Sequence, residues 1–378
     1  MKKLNKANMS RYTMGIALAS IWLLMTILTG GTFLTTRNLS NLFLQTATTA
    51  VLACGMVLIL VSGNIDLSVG SLAGLCGGVA AVCMVKFHMS TPVVLLITLA
   101  VGLVAGLWHG FWIAYRGVPA MIVTLASMLV FRGVVIGITG GSTIGPTNDS
   151  FKAIGQGYLP PWLGYTVTVL VVAAIIYSEL KNRSSKKKYG MKLGNTAWFV
   201  TKLVLMVAAV VVFFGIMLTY RGIPIAIMIV LVLAVILNYI GEHTPFGRHI
   251  YAIGGNNDAA RFSGINIRKT LFALYAGMGV ITAVAGVIFT ARLNSGSPAA
   301  GTNFEMDAIA SAIIGGTSTV GGEGRIFGAL IGALVMTSID NGMSLLNLDV
   351  TFQYIIKGLV LLAAVAVDVA NRRKAGNS

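Results

Sequence analysis

The sequence predicts an all-α protein, a polytopic transmembrane helical bundle of about 10–12 membrane segments, some of them broken or re-entrant. Three observations carry this. Of 378 residues, 56% are hydrophobic and 10% charged, against roughly 25% charged in soluble domains. Apolar stretches near the ~20 residues that cross a bilayer recur along the whole chain. The 45 glycines suit close helix approach in lipid. Residues 1–378 read as a single transmembrane domain.

The first run, 12–33, follows the basic start MKKLNKANMSR. Its outline is that of a signal peptide. Its length is near that of a span and no A-x-A-like cleavage site follows closely, so it reads as the first transmembrane helix. Runs 43–62 and 68–87 come next, parted by the polar SGNIDLSVGS (62–71). Runs 92–114 and 120–140 flank YRGVPA, and runs 160–179 and 197–218 flank the basic KNRSSKKKYGMK (181–192). Run 223–240 precedes a long polar segment, and 270–291 follows it. Run 306–320 is short and rich in Gly, Ala and Ser, which suits a half-helix. Runs 326–346 and 352–370 complete the set.

Short basic loops set the orientation. Lys2, Lys3, Lys6 and Arg11, the 181–192 cluster, Arg248, Arg261, Arg268 and Lys269 in 241–270, and the tail NRRKAGNS all belong inside. Both termini are then cytoplasmic. The 181–192 cluster reads as a solvated loop. The net charge of +16, from 27 Lys and Arg against 11 Asp and Glu, follows from this topology and from attraction to anionic membrane lipid. The basic residues lie between apolar spans rather than on a soluble domain, which argues against nucleic acid as a partner.

Catalytic chemistry finds no support. No G-x-x-x-x-G-K-[ST], H-E-x-x-H or G-x-S-x-G motif occurs, and the four histidines have no metal-ligand spacing. No catalytic, cofactor-binding or metal-ligating residue is assigned. Cys54, Cys76 and Cys83 sit in apolar runs as small packing residues. A local echo, YRGVPAMIVTL (115–125) and YRGIPIAIMIV (220–230), falls on opposite sides of the membrane, as an inverted repeat requires. Chance similarity of two Gly–Pro loops explains it equally well.

Three polar islands remain. In the first, a carboxylate in lipid costs about 2.5–3.5 kcal/mol on insertion scales, so Asp66 belongs at a helix end or a water-accessible path. Asp66 or Ser68 can cap a helix starting near Val69; Asn64, Asp66, Ser68 and Ser71 can also line a solute path. The second island, 241–270, is too long for a plain loop. Its NNDAARFSGINIRK suits a short surface helix that stops at Gly264 and docks a cytoplasmic partner. The third, 292–324, carries Glu305 and Asp307 near one end of a short helix. Tight packing and a discontinuous helix beside a path both fit it. Asp340 and Asn341 are polar at depth, either as an interhelical hydrogen bond or as gate residues.

NIDLSVGSLAGLCGGVAA, VPAMIVTLASMLVFRG, YAIGGNNDAARFSGINIRK and DAIASAIIGGTSTVGGEGRIFGALIGA together resemble the permease subunit of bacterial ATP-driven monosaccharide importers. That family holds the ribose, xylose, galactose and multiple-monosaccharide permeases. The resemblance runs from about residue 37 to 370. The extra apolar pair around 160–220 looks like the xylose and multiple-monosaccharide branch, and LTGGTFLTTRNLSNLFLQ with MVKFHMS tilts it to the latter.

The resemblance implies a non-catalytic subunit in the bacterial cytoplasmic (inner) membrane. It would pair with a second permease copy, take monosaccharide from an extracytoplasmic binding protein, and be driven by a cytoplasmic ATPase subunit that binds the ATP and Mg. Gly254, Gly255, Asn256, Asp258, Ala259, Ala260, Arg261, Ser263 and Gly264 match the family's ATPase-coupling segment. Asp258 stands where relatives often have Glu, and Phe262 where they often have Leu. The path candidates are Asn64, Asp66, Ser68, Ser71, Asp307, Asp340 and Asn341. The competing reading is a secondary ion-coupled transporter, which Asp66, Asp307 and Asp340 would serve.

Overall fold

The computed structural model describes residues 3–191 and 195–376, with side chains at 14–191 and 195–370. The basic groups expected inside at Lys2, Lys3, Lys6, Arg11, Lys192 and in the 371–378 tail lie outside the described side chains. Among the described residues helices are the only regular elements, and nine of them are long and apolar enough to span a membrane.

Helix α1 (Lys3–Leu28) ends before Gly30 and Gly31 and a 3-10 turn at Thr32–Leu34. Helix α2 (Thr36–Val61) starts seven residues before the expected 43, because Thr35 caps it by accepting from Asn38 N at 3.4 Å. Helix α3 (Val69–Val85) is short. Helix α4 (Thr91–Gly110) runs on through a π turn at Phe111–Tyr115, and α5 spans Ala120–Thr139. A short amphipathic α6 (Asp149–Gln156) links them to α7 (Pro161–Lys188) and α8 (Thr196–Tyr220). The cluster expected as a loop from 181 is instead the last two turns of α7. There Arg183 lies 4.4 Å over the Phe199 ring and donates to Thr196 Oγ1 at 2.7 Å.

Helix α9 (Ile225–His243) leads into α10 (Pro245–Gly255) and α11 (Asn257–Phe262). These precede α12 (Ile267–Leu293), the 11-residue α13 (Phe304–Ile314), α14 (Ile326–Leu345) and α15 (Val350–Gly376).

Burial separates an axis from a perimeter. The apolar window of α2 is 89% buried and that of α12 67%, against 6% for α7, 11% for α8 and none for α15. Antiparallel α2 and α12 pack on each other. Around them the contacts repeat in opposite sense. Helix α2 holds α13 and α14, as α12 holds α3 and α4. Helix α3 packs on α4 and α5, as α13 packs on α14 and α15. The order span, broken span, span, span thus occurs twice, as α2–α5 and as α12–α15, with inverted direction.

The fold therefore carries an inverted repeat, but not the one the Y-R-G echo suggests. Both echo segments do share a local form: a positive-φ Gly (Gly117, Gly222) two residues before Pro119 or Pro224, which opens the next helix. They open α5 and α9, however, and α9 lies outside the repeat.

The two broken spans explain each other. At about 1.5 Å per residue, α3 is about 25 Å long and α13 about 16 Å, both short of the ~30 Å core. Residues 62–68 complete the first crossing as non-helical chain, and 294–303 the second as a run of turns. The second non-helical piece lies beside the helical half of the first span: Gly70 and Gly74 of α3 abut Gly301 and Ala300.

Candidate functional site

The N-termini of α3 and α13 meet inside the bundle. Gly70 has no side chain, so the Glu305 carboxylate from the first turn of α13 rests against the start of α3. Asp66 lies just before the same helix start. Carboxylates are favoured at the positive end of a helix dipole, so this junction is where an apolar chain can keep them. The charges of Asp66, Asp307 and Arg132 all act on Glu305. Arg132 of α5 donates to the Pro298 and Ala300 carbonyls at 2.7 and 2.8 Å, tying the second non-helical piece in place.

Asp66 does not cap α3 as expected. Its Oδ1 accepts from Ser68 N at 2.9 Å and from Ser68 Oγ at 2.6 Å. Ser68 is the N-cap residue, and its hydroxyl turns back to Asp66 instead of to the helix. Asp66 Oδ2 faces His109 Nδ1 of α4 at 4.0 Å, beyond hydrogen-bond length. His109 Nε2 and the Tyr275 hydroxyl of α12 are buried and unpartnered, and the two rings meet edge-on at 6.2 Å. Asn64 folds back on Ser62, reaching its hydroxyl at 3.0 Å. Ser71 is buried on α3.

Asp307 sits one turn into the bundle from this junction. Lys357 of α15 bridges it, 3.0 Å to Asp307 Oδ2 and 2.8 Å to Asp340 Oδ2. The second oxygens of both carboxylates are buried without a partner. Asn341 does not join them. Being one residue on, it faces another side of α14 and exchanges amide hydrogen bonds with Asn38 of α2, at 2.9 and 3.2 Å. It forms an interhelical amide pair, one of the two roles the sequence offers it.

The sequence reading missed Lys357, His109, Tyr275 and Arg132. Lys357 was findable: a lone lysine inside the apolar run TFQYIIKGLVLL is a functional candidate by default.

The 241–270 island folds as consecutive capped helices. Thr244 accepts from Gly247 N, with Pro245 at the first helical position. Asn256 accepts from Ala259 N at 2.9 Å and Asn266 from Lys269 N at 3.0 Å. Gly264 ends the expected surface helix at φ 81°. The earlier helix, α10, was not anticipated. Asn256, Asp258, Ala259, Arg261, Ser263 and Gly264 are exposed, and Phe262 is 90% exposed. Ala260 instead points into the core at 4%.

Gly254 is likewise not a surface group. Its Cα abuts the Val61 carbonyl at the end of α2, and that carbonyl accepts from Gly322 N at 2.8 Å. Tyr251 donates to Gly324 O at 2.8 Å. Gly255 packs beside Gly322. Helix α10 is thereby joined, backbone to backbone, to the chain leading into both α3 and α14. Asp368 of α15 accepts from Thr319 Oγ1 at 2.8 Å at this same end.

A polytopic bundle with two broken spans meeting at buried charges, and an exposed helix clamped to both breaks, defines a multi-pass membrane permease. A family model described as Branched-chain amino acid transport system / permease component matches residues 38–365, and the chain belongs to that family. It is 45% identical over 374 residues to the xylose transport system permease protein of Haemophilus influenzae, covering 99% of this chain and 100% of that one. Identity to the corresponding Escherichia coli protein is 43% over 371 residues, 98% of this chain and 94% of the other. The ribose import permease protein of Escherichia coli is 36% identical over 336 residues, 89% and 87% of the two chains. No solved structure matches.

Proposed function

We propose that this chain is the membrane permease subunit of an ATP-binding-cassette importer for monosaccharides, in the bacterial inner membrane. Pentose carriage is the preferred reading. Relatives matched over nearly the full chain are named for xylose and a further one for ribose, which outweighs the branched-chain amino acid wording of the broad family. The chain binds no cofactor. ATP and Mg are held by a cytoplasmic ATPase subunit, sugar arrives on an extracytoplasmic binding protein, and two copies of the chain form the pathway. The end bearing α11 and both termini faces the cytoplasm.

The observation that carries this is α11. A phenylalanine 90% exposed, flanked by Asp258 and Arg261 at a polar end of a membrane protein, is an anchor awaiting an apolar pocket. Through Gly254 and Tyr251 the ATPase's grip on α11 reaches both broken spans, so a change in that grip rocks them as rigid bodies. The test is ATPase activity of the reconstituted complex. Sugar-loaded binding protein stimulates the native complex, and Phe262→Asp abolishes stimulation in a permease that still folds. Full stimulation in Phe262→Asp removes α11 as the coupling element.

The buried Asp307–Lys357–Asp340 cluster keeps a second reading, a secondary ion-coupled transporter. Uptake that survives ATP depletion and collapses with an ionophore supports it over the first.

A further inference from the structure

The end of the hairpin where α7 turns into α8 carries charge of one sign. Residues 161–220 hold one acid, Glu179, against seven Lys and Arg. Glu179 is already paired with Lys202, 2.7 Å away, so no carboxylate of the hairpin is left for the other cations.

The charge is also sorted by face. Glu179 and Arg183 both reach α8, Arg183 by lying over Phe199 and donating to Thr196 Oγ1. Lys186 and Lys187 follow Arg183 by three and four residues and so share its face. Both are exposed, and among the described residues neither makes an ion pair or hydrogen bond. Three like charges within one turn repel one another. An oxyanion set among them relieves that repulsion and accepts from the Arg183 fork. Lys181, 5.7 Å over the Tyr177 ring, and Lys188 fall on the opposite face of α7.

We infer that the Arg183–Lys186–Lys187 face binds the phosphate of an anionic phospholipid. The inference uses the inner-membrane reading above but not the transport activity. Helix α7 has 28 residues, about 42 Å at 1.5 Å per residue, against a hydrocarbon core of ~30 Å. Its last turns, from Lys181, therefore pass through the headgroup layer. The apolar windows of α7 and α8 are only 6% and 11% buried, so lipid surrounds the hairpin. Exposed Tyr177 and Trp198 sit at this end, as aromatic residues do at a membrane interface. Exposed Val200, beside Phe199, offers an apolar surface to the acyl chains of the same molecule. Free phosphate would find the cations but not this apolar flank.

Native mass spectrometry of the delipidated full chain, which resolves each bound lipid, tests this. The first phosphatidylglycerol should bind about tenfold more tightly than phosphatidylcholine with the same acyl chains, the order expected of two or three cations near a membrane surface. Lys186→Gln with Lys187→Gln should remove most of that preference. Lys181→Gln with Lys188→Gln takes the same charge from the opposite face and should keep it. Glycerol phosphate, a phosphate without acyl chains, should not bind measurably.

Equal losses in the two double variants would reduce the site to diffuse attraction and overturn it. A native chain without preference for phosphatidylglycerol does the same. Glycerol phosphate bound as tightly as the lipid would make this a site for soluble anions and overturn the lipid assignment. No readout here involves sugar or ATP, so the importer reading is tested separately.

Discussion

Lys357 on α15 holds Asp307 on α13 across 3.0 Å, with both side chains largely withdrawn from solvent. No residue in the apolar window of α15 is fully buried; a half-buried stripe of Ile356, Val360, Leu361 and Val365 packs on the core, and this contact and Asp368 with Thr319 add polar ties. Replacing Lys357 by Met should leave two carboxylates facing each other, and removing one partner of a buried pair costs about 3–5 kcal/mol. The melting temperature in detergent should fall accordingly. The triple change to Lys357→Met, Asp307→Leu, Asp340→Leu should recover most of the loss. If Lys357→Met melts with the native protein, the cluster is not structural.

The Asn38–Asn341 pair joins α2 to α14 at depth. Leaving one buried amide unsatisfied costs about 1–3 kcal/mol, so Asn341→Leu and Asn38→Leu should each destabilise by that order. Because they share the interaction, the double variant should cost less than the sum. Thermal denaturation of the four proteins measures the coupling; strict additivity would disprove a shared bond.

Gly254 has no room for a side chain, since a Cβ would collide with the Val61 carbonyl. Gly254→Ala should force α10 from α2 at about 1–3 kcal/mol. Transport should suffer more than stability, because the displaced contact is one of those that link α11 to the breaks. Gly277→Ala on α12 meets open space and serves as the control. Comparable uptake by the two variants would remove the clasp from the coupling route.

Asp66 organises the turn into α3. Asp66→Ala strands the Ser68 amide and hydroxyl, at about 1–3 kcal/mol. Asp66→Asn keeps one acceptor for Ser68 and should cost less. Uptake and assembly unchanged in Asp66→Ala would show that neither the turn nor the path depends on it.

Spans were readable because lipid demands length and apolarity, and little else, of a helix. Hence α4, α5, α8 and α14 fall within a few residues of their expected bounds. The breaks were readable as polar islands, since Asp66 and Glu305 violate the local rule. Their partners were not. Nothing in sequence spacing places Gly70 against Glu305, from opposite halves of the chain, or Lys357 against Asp307, 50 residues away on another helix. The inverted repeat was invisible for the same reason: it is a likeness of packing, while the one likeness in letters, the Y-R-G echo, belongs to different elements. Helix α10 had signals in Thr244 and Pro245, and was overlooked because the segment reads as polar.

The α7–α8 hairpin stands almost free of the bundle, touching it chiefly through α8 on α2. In hydrocarbon there is no gain in hiding leucine or valine from lipid that is as apolar as they are. The hairpin therefore has little holding it in one place and little that depends on it being there. Evolution can lengthen, shorten or replace such an outrigger without retuning the centre, whereas α2 and α12, each gripping two neighbours through glycines and small residues, tolerate almost no drift. Lineages of this architecture should differ in girth long before they differ at the axis.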